Sequence, residues 1–85
     1  MSLAYVGYKA TAVSALVKTG PTKLYGLIAN AAATVTLYDN TSAAGTVMYT
    51  KTLAAGEVIH FGGVGIALNN GLYAATTAAI VVLYV

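Results

Sequence analysis

The sequence predicts an all-β fold, an antiparallel β-sandwich of jelly-roll type with seven to eight short strands, with a small β-barrel as the alternative. Three observations carry this. Apart from alanine, the chain is dominated by Val, Thr, Tyr, Leu and Ile, which suit a pleated, half-buried surface. Turn clusters (Thr19-Gly20-Pro21, Asp39-Asn40-Thr41-Ser42, Ala55-Gly56, Gly62-Gly63, Asn69-Asn70-Gly71) recur at a spacing close to the roughly 8 to 12 residues expected of a sandwich. Between them, apolar and polar residues alternate with the period of two that sets one face of a strand inward.

Residues 8–18 read as the first strand, with Ala12, Ser14, Leu16 and Lys18 on one side, Val13, Ala15 and Val17 on the other, and Pro21 closing it. Residues 22–30 are apolar on both sides, and Gly26 among them signals a bulge or a close backbone approach. Thr34 to Asp39 places Val35 and Leu37 inward and Thr34, Thr36 and Tyr38 outward. The small, polar loop from Asp39 to Gly45 then makes a hairpin, because Asp and Asn bond their own backbone and Gly accepts a positive φ. Thr46 to Leu53 alternates again, and Ala54-Ala55-Gly56 turns the chain into Glu57 to Phe61. Val64 to Leu68 is a short strand, Asn70-Gly71 is a two-residue hairpin signal, Leu72 to Ala75 pairs back, and Ala79 to Val85 ends the chain as a buried strand. Residues 1–10, without clear strand periodicity, form an N-terminal arm, and 11–85 a single sandwich domain.

Length and composition narrow the function. With 85 residues there is room for one core only. Surface scaling gives a folded area of roughly 4,700 Å² for this mass, about 60% burial of the chain, so a lone copy is marginal. Only 7% of residues are charged against 59% hydrophobic, whereas an ordinary soluble domain carries about 25% charged residues. A surface so short of charge points to burial in an oligomer or larger assembly. The net charge of +2 comes from Lys9, Lys18, Lys23 and Lys51 against Asp39 and Glu57, with no Arg and no lysine cluster, which argues against nucleic acid. No apolar run reaches the roughly 18 to 20 residues that a membrane helix needs, and Lys9 interrupts any signal-peptide pattern in residues 1–15. The chain has no Cys, so no disulfide and no thiolate metal site.

Candidate chemistry is thin. His60 is the single histidine, so an acid-base or nucleophilic mechanism would combine it with Ser14 or Ser42 and Asp39, and no nucleophile motif surrounds any of them. Glu57 and His60, three apart on a strand, face opposite sides and do not converge on a metal. Gly62-Gly63-Val64-Gly65 lacks the third glycine and the following helix of a phosphate loop. Asn40-Thr41-Ser42 matches a glycosylation triplet and reads as a loop. No catalytic, cofactor or metal residue is expected. Tyrosine offers apolar area with a polar tip and is enriched at interfaces. Tyr5 and Tyr8, in the arm, are the first candidates to reach a neighbouring copy, followed by Met48 and Tyr84.

Leu24-Tyr25-Gly26-Leu27, the stretch from Thr34 through Tyr38-Asp39-Asn40-Thr41-Ser42 to Thr46, and Asn70-Gly71-Leu72-Tyr73-Ala74 together resemble a group of small virion proteins of tailed bacteriophages. The resemblance spans roughly residues 10 to 85 and implies a role like that of capsid decoration or cement proteins, on the outside of the head. On that likeness the expected partners are further copies of the chain, a trimer being favoured, and a major capsid protein. The alternative is a tail or fibre module binding a host receptor or another virion protein.

Overall fold

Two antiparallel sheets pack face to face, and the chain passes from one to the other at most of its connections. The computed structural model describes residues 7–61 and 65–85; Tyr5, residues 1–6 of the expected arm and the Gly62-Gly63-Val64 stretch lie outside the described residues. The strands are β1 (Gly7–Thr11), β2 (Ala15–Thr19), β3 (Thr22–Ala29), β4 (Ala33–Tyr38), β5 (Val47–Leu53), β6 (Val58–His60), β7 (Ile66–Leu68), β8 (Gly71–Thr76) and β9 (Ile80–Tyr84). One sheet has the order β1-β9-β3-β6, with β7 also on β3; the other has the order β2-β8-β4-β5. β6 and β7 lie in line along one edge of β3, on Gly26 to Ile28 and on Thr22 to Leu24.

The pairings are nested: β1 with β9, β2 with β8, β3 with β6 and β7, β4 with β5. Rolling this ribbon brings β9 also against β3 and β8 also against β4. This is a jelly roll, a double-sheet solution of the predicted class, and not a closed barrel. The core between the sheets is built from Leu24, Leu27, Leu37, Leu53, Leu72, Ile80, Val35 and Val82, all less than 2% exposed. The accessible surface of 4567 Å² is close to the area that scaling gives for this mass, so the chain closes its core as one copy.

Three sequence expectations are corrected. The first strand is two: after Thr11 the chain leaves one sheet and enters the other at Ala15, and the Thr11 hydroxyl bonding Val13 O at 2.7 Å makes the turn. The boundary expected at residue 10 falls inside β1, because Gly7 to Thr11 pair with Tyr84 to Ile80. Asn70-Gly71 does not close a hairpin. β7 lies on β3 in one sheet and β8 on β2 and β4 in the other, so this turn is a crossover. Gly71 has φ +152°, and a Cβ on it would come within 2.8 Å of Lys18 O and 3.1 Å of Asn40 O. A tightly crowded crossing thus uses the same dipeptide that a hairpin prefers.

Gly26 fulfils both of its expected roles. The register of β3 on β9 shifts between Leu24 and Gly26, and a Cβ on Gly26 would stand 2.6 Å from Ile59 O. The hairpin from Asp39 to Gly45 also forms as expected, with Val35 and Leu37 inward and fully buried.

Replacing Leu37 by Ala removes a fully buried side chain and is expected to cost about 2–5 kcal/mol in urea unfolding, a large share of a small domain's stability. Gly26→Val is expected to cost at least as much, since the new side chain meets β6 backbone rather than a movable side chain. A Gly26→Val protein that unfolds at the wild-type midpoint would refute the close-approach argument.

Candidate functional site

In an antiparallel pair, directly opposite residues share a face, so the registers define the outer surface of the five-stranded sheet. Leu83 of β9 is opposite Tyr8 of β1 and Gly26 of β3, and Gly26 is opposite His60 of β6. Val81 is opposite Ala10 and Ile28, and Ile28 is opposite Val58. Two rows result: Tyr8, Leu83, Gly26, His60 and Ala10, Val81, Ile28, Val58. Their neighbours in sequence confirm the direction, because Ile80, Val82, Leu27 and Ala29 are buried while Val81, Leu83 and Ile28 are partly open to solvent. Tyr8 is 71% exposed and Val58 45%. No charged residue stands in either row.

The outer face of the second sheet is more polar. Thr34 meets Thr52, and Thr36 meets Thr50, with hydroxyl oxygens 3.2 and 3.1 Å apart. Tyr38 and Tyr73 pack edge to face beside them, ring centres 6.4 Å apart. Such cross-strand hydroxyl pairs are at home in water, whereas the first sheet offers methyl groups and one aromatic ring.

The charges lie elsewhere. Lys9 on β1, Lys18 on β2 and Lys51 on β5 all stand on edge strands. Lys9 is opposite Val82 and Lys51 opposite Val35, so both occupy rows that belong to the core side of an edge. An inward-set lysine on an edge strand opposes pairing with another strand, since adding one would bury the ammonium. Lys51 Nζ finds Glu57 Oε2 at 3.2 Å. The Ala54 N–H, and then Lys51, hold the Glu57 carboxyl below its usual range.

Asp39 organises the loop end. Its two carboxylate oxygens accept from Asn70 N–H at 2.9 Å and Asn69 N–H at 3.3 Å, which tie the β4–β5 loop to the crossover before β8. The Asn70 N–H is the main cause that lowers the Asp39 pKa from the ordinary value. Asn40 is engaged as well: its amide donates to Ala44 O, and its side-chain oxygen accepts from Thr41 N–H. The glycosylation triplet is therefore a bonded loop. A shallow hollow nearby, lined by Lys18, Thr22, Lys23, Tyr25 and Asn69, exposes nothing that the sequence singles out as reactive.

The residues of the possible triad do not meet. Ser14 Oγ accepts from Thr76 N–H, at the end of the sheet where Thr76 is opposite Val35, while Asp39 lies beyond the other end of the same strand. His60 stands on the outer face of the other sheet and makes no side-chain hydrogen bond among the described residues. Among those residues no group of three His, Asp or Glu is placed to hold a metal ion, and no helix is long and apolar enough to cross a membrane. Of the expected interface residues, Tyr8 is the open one. Met48 and Tyr84 are half-buried against the core, with Tyr84 in the inward row of β9. Val58, Val81, Leu83 and Ile28 were not anticipated as surface; their signal was the two-sided apolar pattern of residues 22–30 and 79–85, which reads equally as a strand buried on both sides.

No family profile, curated protein or solved structure matches the chain. The likeness to small tailed-phage virion proteins rests on the residues quoted for it.

Asp39→Ala is expected to lower stability by roughly 1 kcal/mol, the net worth of the lost loop bonds. Because the Asp39 and Glu57 carboxyls are held below their ordinary pKa values when folded, their contribution is complete above the unfolded values, about pH 4, and is lost as pH falls through the folded ones. Melting curves from pH 6 to pH 2 (roughly the window of carboxylate titration) should fall less steeply for Asp39→Asn than for wild type; equal slopes would remove Asp39 from the account.

Proposed function

We propose that the chain is a non-enzymatic structural protein of a tailed-phage virion, a decoration module that binds the outside of the head and ties shell subunits together. The observation that carries the reading is the distribution of polarity: a closed jelly-roll core with lysines on its edge strands and an uncharged apolar row on one broad outer face. Such a body is built to adhere by area rather than to bind a charged ligand. The separate engagement of Ser14 and Asp39 favours a structural role over a catalytic one. Jelly rolls serve widely as capsid domains, which agrees with the resemblance in the Thr34 to Thr46 segment. Mechanically, each bound copy adds buried surface across a seam between shell subunits, and anything that binds only the intact shell stabilises it by mass action.

The test is to add the purified chain to heads of the parent phage that lack it. Saturable binding with copy numbers following the head lattice, together with a higher temperature of head disruption, is the expected result. Heads that bind nothing and break at an unchanged temperature would end this reading, and binding to tails or fibres alone would replace it with the tail-module alternative.

A further inference from the structure

The outer face of the five-stranded sheet has no partner within the chain, and its composition says what kind of surface covers it. Its two central rows, Tyr8, Leu83, Gly26, His60 and Ala10, Val81, Ile28, Val58, run across four strands without a formal charge. The edges beside them are blocked: β1 carries the inward-set Lys9, and the opposite edge is divided between the three-residue strands β6 and β7. Short edges and inward lysines disfavour strand addition and leave stacking of faces as the remaining way to cover the apolar rows.

We propose that this face docks a second copy of the same chain, sheet against sheet, about a two-fold axis. The proposal rests on the reading that the chain works by association, and it names the surface. A two-fold contact brings one patch against itself, so the patch must match its own charge and its own shape. Charge is matched because neither row carries any. Shape is matched through the order of sizes. With the axis crossing the strands between the rows, Tyr8 meets the second copy's Ala10, Ile28 meets its Gly26, His60 meets its Val58, and Leu83 meets its Val81. In the first two of these pairs a bulky side chain meets a small one. Gly26, kept bare by the approach of Ile59 O, is the notch into which Ile28 fits. The area is adequate: the longer axes of the body measure 38 and 27 Å, so a broad face projects on the order of 1,000 Å², against about 800 Å² per partner in a standard interface. The exposed Lys23 and Ala67 at the far end of the face make the rim, around an apolar centre.

Sedimentation equilibrium of the full chain tests this, with the mass of one copy being 8.6 kDa. The wild type is expected to sediment at twice that mass at about 100 μM, in the range where modest interfaces are occupied. Tyr8→Lys and Val58→Lys each place a charge at an exposed position that the single copy tolerates, and each is expected to weaken the dimer by about 100-fold or more. Leu16→Lys, at a 40% exposed position on the outer face of the other sheet, is the control and should leave the mass unchanged. Melting curves identify a variant that fails to fold, in which case the other of the pair decides. A wild type that stays monomeric, a trimer, or a dimer broken by Leu16→Lys and not by the first two variants would overturn the proposal. Head binding separates this from the functional reading. A dimer that ignores heads removes the decoration role and leaves the face, while monomeric variants that still coat heads at wild-type affinity remove the face and leave the role.

Discussion

The close approach of β6 to β3 at Gly26 is the constraint on which the five-stranded sheet depends. β3 is the only strand of that sheet with neighbours along both edges, β9 on one and the in-line β6 and β7 on the other. Its backbone comes so near β6 that no Cβ fits between Gly26 and Ile59 O. Where the side chain is missing, the bulge between Leu24 and Gly26 takes up the register difference that β9 imposes. Leu24 and Leu27, on either side, both remain turned into the core. Without that accommodation one of the two edges of β3 would be unpaired, with its backbone N–H and C=O groups unsatisfied.

The rest of the roll closes over distances that no local signal spans. β1 pairs with β9, joining Gly7 to Tyr84, and the Thr22 hydroxyl reaches Val85 O at 2.5 Å. Loop closure of this length must be offset by burial that comes only when both sheets are assembled, which makes folding a cooperative event dominated by non-local pairing. Asp39 reduces one part of that problem. By holding the N–H groups of Asn69 and Asn70 it fixes the β4–β5 loop to the crossover, so that two segments some thirty residues apart enter the second sheet together.

The placement of the few charges serves a different end from stability. Three of the four lysines mark edge strands, where an ammonium on the core side of the edge deters further pairing, and the single ion pair, Lys51 with Glu57, is exposed and contributes little. Freed of charge, the outer face of the five-stranded sheet differs from the threonine-paired face of the other. The two sides of one sandwich are thus chemically distinct, one suited to water and one to a covering surface.

Residue type and period by themselves determined the all-β class, the hairpin after Asp39, the inward setting of Val35 and Leu37, and the special standing of Gly26, because these depend on side-chain alternation and on local backbone freedom. They also determined that the surface would be short of charge. Tertiary structure decided the rest. Whether a strand apolar on both sides is buried on both sides depends on which strands flank it and whether a third layer exists, so Val81, Leu83 and Ile28 became surface only when the second sheet covered one side alone. In the same way Asn70-Gly71 specifies a turn, but whether that turn stays within one sheet or crosses to the other is settled by the partners of β7 and β8, residues far away in the chain.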